Sequence, residues 1–177
     1  MNTLAPTNSY GVLIEPATLK MERLLPGPID RVWAYLTQSD LRSQWMAAGE
    51  MPMKIDASFE LVWRNNTLSD PPGKRPEGFA EVQRMQSRIT ALDPPHRLAI
   101  TWDGSGSVSF ELEPRGKDVL LTVIHRRVPD RAAALMFGAG WHMHLDTLAA
   151  RLRGEATEPF WDGWSRLRTE YDRIIPA

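Results

Sequence analysis

Four histidines give this chain of 177 residues its main capacity for proton chemistry, because imidazole is the side chain that changes charge nearest neutral pH. His125 closes the alternating run Val119, Leu121, Val123, His125, so it shares the inward register of a strand. His142 and His144 stand two apart in the stretch Gly138-Ala-Gly-Trp-His-Met-His-Leu. Their spacing looks like a metal pair, but on a helix positions i and i+2 point about 200° apart, so the two rings cannot share an ion. With no cysteine and no carboxylate cluster beside them, no metal is expected, and no motif asks for a cofactor. That leaves His125 and His144 as single groups. Each is a candidate general acid or base, or a hydrogen-bonding partner for a ligand carbonyl or phenol. Each also has a plainer reading as a satisfied histidine of the core or rim. Arg23 is the third polar candidate. It falls in the apolar register of Leu19, Met21 and Leu25. There it either pairs with a carboxylate or reaches solvent near a strand end, or it brings a positive charge into a cavity.

Other reaction classes find no footing. No Gly-x-Ser-x-Gly elbow sits at a strand-to-helix junction, since Gly104-Ser-Gly106 falls in a hairpin turn. There is no phosphate-cradling glycine loop and no Walker lysine. The net charge of -1 offers nucleic acid no basic footprint and sets up no field toward a membrane surface. No run is long and apolar enough for membrane insertion. Residues 1–10 lack a basic segment followed by an apolar core, so no signal peptide is expected. The absence of cysteine suits a reducing compartment, and a cytoplasmic location is expected. Seven tryptophans are many for a chain of this size; such rings either fill a core or line a cavity.

The elements that must position these groups read as strands first and helices after. Residues 1–10 are expected as a flexible arm. Residues 12–25 alternate as a strand, and Pro26-Gly-Pro28 ends it. Pro28 opens a first helix over 29–37, with Ile29, Val32, Trp33 and Leu36 inward. Ser39-Asp40 caps a second short helix over 41–48 that carries Trp45. Phe59, Leu61 and Trp63 alternate in the next strand. A polar loop rich in proline and glycine follows over 65–78, either a mobile flap or plain surface. Residues 79–92 resume strand. Leu98, Ile100 and Trp102, then Val108, Phe110 and Leu112, then Val119 to His125 make three further strands with short turns, hence antiparallel neighbours. Residues 131–137 are expected as a short helical lead-in, and the glycines at 138 and 140 as freedom to turn. Trp141, Leu145, Leu148 and Leu152 then recur at i, i+4, i+7 and i+11, one narrow stripe of a long helix stopped at Gly154. The tail, 155–177, repeats that spacing in Phe160, Trp164, Leu167, Tyr171 and Ile174. Its apolar stripe must lie either on its own domain or on a second copy of the chain, which would make a homodimer through the C-terminal helix.

Leu19-Lys-Met-Glu-Arg23, Pro28-Ile-Asp-Arg-Val-Trp33-Ala-Tyr-Leu36-Thr and Leu41-Arg-Ser-Gln-Trp45 together resemble the opening of the activator-of-heat-shock-protein-ATPase-like branch of the START/Bet v 1-like (SRPBCC) superfamily. Leu92-Asp-Pro-Pro-His-Arg-Leu98-Ala-Ile-Thr-Trp102 looks like that branch's fourth and fifth strands. Val108-Ser-Phe-Glu-Leu-Glu-Pro114 with Leu121-Thr-Val-Ile-His125 is similar to its closing hairpin, and Gly140-Trp141 with Leu145, Leu148 and Leu152 to its C-terminal helix. The resemblance covers residues 12–154; the ordered set carries it rather than any single motif. One departure is Asp56-Ala-Ser58, where many members have a glycine pair.

The resemblance implies an α+β helix-grip fold: a curved antiparallel sheet wrapped around a long C-terminal helix, with two short helices after the first strand. The domain would span 11–154 and the tail would be an extra C-terminal helix. A cavity between sheet and helix would be lined by Phe59, Trp63, Ile100, Trp102, Phe110, Val123 and His125 facing Trp141, His144, Leu145 and Leu148, with Arg23 and Trp45 as further ligand-binding candidates. Three functions follow from the resemblance. The first is binding of an apolar or aromatic small molecule such as a lipid or polyketide-like compound, without catalysis. The second is a cyclase- or dehydratase-type enzyme using His125 or His144. The third is a co-chaperone-like interaction module.

Overall fold

Alternating apolar residues build strands here because each inward side chain meets a helix while its outward neighbours meet water. A computed structural model describes residues 9–177 apart from 16 and 105. Most of the arm expected over 1–10, and Ser105 of the hairpin turn, therefore lie outside the described residues. The elements run β1 (Val12–Glu15), β2 (Thr18–Pro26), α1 (Ile29–Thr37), α2 (Ser39–Arg42), β3 (Ala47–Ala48), β4 (Ser58–Trp63), β5 (Gln83–Asp93), β6 (Arg97–Trp102), β7 (Gly106–Arg115), β8 (Asp118–Arg126), α3 (Arg131–Arg153) and α4 (Phe160–Ile174). The strands form one antiparallel sheet in the order β1-β2-β8-β7-β6-β5-β4-β3. It grips α3, giving the α+β helix-grip architecture.

Register sets the inner face. Leu19 pairs with His125, Met21 with Val123 and Arg23 with Leu121 across β2 and β8. Val108 pairs with His125 and Phe110 with Val123 across β7 and β8. All of these are buried. Several expectations change at this level. Residues 12–25 are not one strand but the hairpin β1–β2, so α1 and α2 follow the second strand. The second helix is only four residues long. Ser39 does not cap it; its Oγ accepts from Gly49 N at 2.9 Å, where the chain has already bent into β3. Arg42 explains that bend. Its guanidinium is buried and donates to the carbonyls of Leu36, Thr37, Ala47 and Gly49, so one side chain closes the end of α1 and fastens β3. Burial lowers its pKa to about 10. Asp56 takes φ 67°, the conformation glycine favours.

The long helix is continuous from Arg131 to Arg153; there is no separate lead-in. Asp130 caps it by accepting from Ala133 N at 2.8 Å, and Gly154 ends it at φ 66°. The glycine at 138 serves contact rather than turning. A Cβ there would lie 3.1 Å from the ring of Tyr171 on α4. The tail helix lies on its own domain. Phe160, Trp161, Trp164, Leu167 and Tyr171 are buried, so the stripe offered to a second copy is already covered. Ile174 departs from that stripe and is 46% exposed, whereas Ile175 turns inward. With the sheet on one side and α4 on the other, α3 is buried nearly all round, including His142, Met143 and Thr147 off the original stripe. No helix among the described residues is long and apolar enough to cross a membrane.

Candidate functional site

Between β4–β6, α3 and the start of α4 lies a cavity of about 510 Å³. Three groups of residues build it. Trp63 and Trp102 come from the ends of β4 and β6, with ring centroids 5.6 Å apart. Trp141 and His144 come from α3, and Trp141 continues the ring series at 5.3 Å from Trp102. Phe160, Trp161 and Trp164 come from α4; the last two meet Phe79, which precedes β5 rather than opening it, at 5.2 Å (Trp161) and 5.0 Å (Trp164) between ring centroids. The deep wall of Met46, Trp141, His144, Phe160 and Trp161 is buried, while Arg84, Gln86, Asp103 and Met136 are exposed at the rim. Arg84 pairs with Glu60 at 2.8 Å, so the rim's cation is compensated.

Trp63, Trp102, Trp141 and His144 thus sit together as the inward register requires. The other candidates lie elsewhere. Phe59, Ile100, Phe110, Val123, Leu145 and Leu148 pack in the hydrophobic core behind the wall. Trp45 is fully buried and its Nε1 donates to Tyr35 O at 2.8 Å; its neighbour Met46 lines the cavity instead. Arg23 lies on the far side of α3. It donates to Asp146 Oδ1 at 3.1 Å and to Ser9 O at 2.6 Å, so the carboxylate-pairing reading holds. His142 belongs to the same network: Nδ1 is 2.9 Å from the Tyr171 hydroxyl and Nε2 is 3.3 Å from Asp146 Oδ2. Burial alone would raise the Asp146 pKa, but the His142 hydrogen bond and the Arg23 charge more than offset it and hold the carboxyl below its ordinary value. Burial pushes the Tyr171 hydroxyl up to about 12. This network ties Ser9, Gly11 and α4 to α3 and leaves His142 facing away from His144. Among the described residues no cluster of three or more potential metal ligands forms.

The two candidate histidines differ in what they can still do. Trp141 Nε1 donates to His125 Nδ1 at 3.1 Å, which engages the ring's lone pair and places the proton of the neutral form on Nε2. His125 also stacks on Phe137 at 4.4 Å. His144 has the opposite arrangement. Its Nδ1 lies 2.8 Å from Trp45 O; a carbonyl only accepts, so Nδ1 carries the proton and Nε2 keeps a free lone pair. Burial lowers both pKa values to about 4; for His144 the bond to Trp45 O opposes that shift without cancelling it. At neutral pH both rings are uncharged, and the deep wall carries no charge at all.

Of the twenty residues lining the cavity, sequence reasoning named four, Trp63, Trp102, Trp141 and His144; the aromatic ones it missed are Phe79, Phe137, Phe160, Trp161 and Trp164. The available signal was the aromatic density of the tail, Phe160-Trp-Asp-Gly-Trp164. The polar loop is fastened to that tail. Ser69 Oγ accepts from Phe160 N at 2.8 Å, Pro72 O from Trp161 N at 2.9 Å, and Asn66 Oδ1 from Trp161 Nε1 at 2.7 Å. In effect the loop caps α4, which has no side-chain cap of its own.

Known proteins agree with this architecture. The family model described as Activator of Hsp90 ATPase homolog 1-like protein matches residues 26–153. The solution structure of the protein encoded by gene BPP1335 from Bordetella parapertussis is 34% identical. That match covers 97% of this chain and 93% of that one, with a TM-score of 0.79. The crystal structure of CalU16 from Micromonospora echinospora matches at TM-score 0.68 and 20% identity over 90% of this chain and 89% of the other. DynU16, a protein of the dynemicin biosynthetic locus, matches at TM-score 0.64 and 19% identity over 77% of this chain and 47% of its own. A sequence comparison with curated proteins finds no match.

Proposed function

We propose, on the premise that this chain belongs to the Activator of Hsp90 ATPase homolog 1-like family of the START/Bet v 1-like (SRPBCC) superfamily, that it binds an apolar, aromatic small molecule in the cavity between sheet and helices. The observation that carries this reading is the wall itself: a space of about 510 Å³ lined by five of the seven tryptophans, with no charge at depth. That volume suits a ligand of several fused rings, and apolar burial would supply most of the affinity. Offset and edge-on ring contacts favour a planar guest. The location of the fold relative DynU16 in a biosynthetic locus supports a small-molecule setting. A cytoplasmic location accords with a chain that has no cysteine.

A second reading, a cyclase- or dehydratase-type enzyme, is favoured by the free Nε2 of His144. In that case His144 would be the base, because the lone pair of His125 is engaged by Trp141.

Native mass spectrometry of the purified full chain, followed by organic extraction, tests the binding reading. The expected result is an apolar aromatic molecule near one per chain, or stoichiometric uptake from an aromatic library by protein purified empty. A chain that carries nothing and takes up nothing from that library contradicts it.

A further inference from the structure

Two acceptor atoms of the cavity lining have no partner among the described residues. Among the described residues, the only wholly buried side-chain polar atom without a partner is Asn65 Oδ1. His144 Nε2 also makes no hydrogen bond among the described residues, and His144 lines the cavity. The ring is held in this orientation: Nδ1–H is bound by Trp45 O at 2.8 Å and the ring centroid lies 5.0 Å from that of Phe160, tilted at 48°. Nε2 is therefore a fixed acceptor in a wall otherwise made of aromatic rings and Met46.

The neighbouring groups narrow the partner. One helical turn back from His144 is Gly140, and Trp164 Nε1 sits 3.9 Å from where a Cβ of Gly140 would be. That indole N–H has no hydrogen-bond partner among the described residues either. An acceptor on α3 and a donor on α4, both in the cavity lining, suit a group that gives and takes hydrogen bonds. A carboxylate would place an unpaired charge against rings that carry none, which is costly in such a site. Asn65, elsewhere in the wall, adds a second unpaired acceptor rather than a cation.

We propose that the ligand is a hydroxylated, uncharged polycyclic aromatic whose hydroxyl donates to His144 Nε2. This rests on the aromatic-binding reading and sharpens it to a class of ligand. The acceptor distinguishes hydroxyl compounds from hydrocarbons and ethers of the same shape, because only the hydroxyl has a proton to give.

The test uses the intact chain and three probes, 1-hydroxypyrene, 1-methylpyrene and 1-methoxypyrene, followed by energy transfer from the cavity tryptophans. The methyl compound matches the hydroxyl in size, and the ether accepts without donating. One satisfied hydrogen bond predicts that 1-hydroxypyrene binds roughly fivefold to tenfold tighter than the other two. In His144→Phe the preference for 1-hydroxypyrene over 1-methylpyrene should vanish, whatever the absolute affinity of the variant for either. Equal binding of 1-methylpyrene or 1-methoxypyrene and 1-hydroxypyrene to the native chain overturns the inference and leaves aromatic binding standing. Binding of none of the three overturns both. If His144→Phe does not fold, the probe series on the native chain decides alone.

Discussion

His125 and His144 carry the same side chain and are fixed in opposite tautomers, one by an indole N–H and the other by a carbonyl. Their shared property is burial, which brings each pKa to about 4. The native state thus holds both neutral where the unfolded chain would protonate them. Between the ordinary histidine value and about 4 the unfolded state binds more protons, so stability falls as pH falls through that window and is fully present above it. Each histidine contributes on the order of 2–3 kcal/mol across the window. Urea denaturation of the native chain at several pH values should show this loss, and His144→Gln should flatten the slope by roughly half. A native chain equally stable at both ends of the window contradicts the assignment. The inward register of His125 and the place of His144 at the edge of the helix stripe were legible from spacing alone. Their tautomers were not, since the partners Trp141 and Trp45 are fixed by tertiary packing. Arg23 shows the same limit: its register was legible, its partner Asp146, 123 residues away, was not.

At the level of elements, period-two and period-3.6 patterns marked nearly every strand and helix, because each has one face against the core. Local rules failed where a distant element overrode them. Gly138 and Gly140 look like chain breakers, yet α3 runs through both because α4 packs across it. The two glycines should respond differently to alanine. Gly138→Ala forces a methyl to 3.1 Å from the Tyr171 ring and should cost about 1–3 kcal/mol. Gly140→Ala meets nothing closer than 3.9 Å and should be neutral or stabilise by about 0.5–1 kcal/mol through helix propensity. Thermal unfolding of the pair decides, and equal effects would mean that α3 and α4 are not in such close contact. The tail also matters for the interaction-module reading. Deleting 155–177 would strip Phe160, Trp161, Trp164, Leu167 and Tyr171 from the core and leave the loop at 65–74 without its anchor. The truncated chain should lose cooperative unfolding, seen by calorimetry. A truncation that still melts sharply would show the tail to be a separable appendage after all.

At the scale of the molecule, the sheet and α3 make the grip, and α4 with its attached loop makes the roof. The grip was readable because alternation, turn residues and a familiar order of segments all pointed one way. The roof was not, because it depends on a loop near residue 70 meeting a helix near residue 160, a pairing no local pattern announces. The central claim is that the cavity takes an aromatic guest. The tryptophans provide a direct readout, since five line the cavity while Trp33 and Trp45 do not. We would record the side-chain indole N–H signals of the ¹⁵N-labelled full chain by NMR while adding naphthalene. The expected result is saturable shifts for Trp63, Trp102, Trp141, Trp161 and Trp164 with Trp33 and Trp45 unmoved. Shifts confined to Trp33 and Trp45, or no shifts at all, would contradict the account.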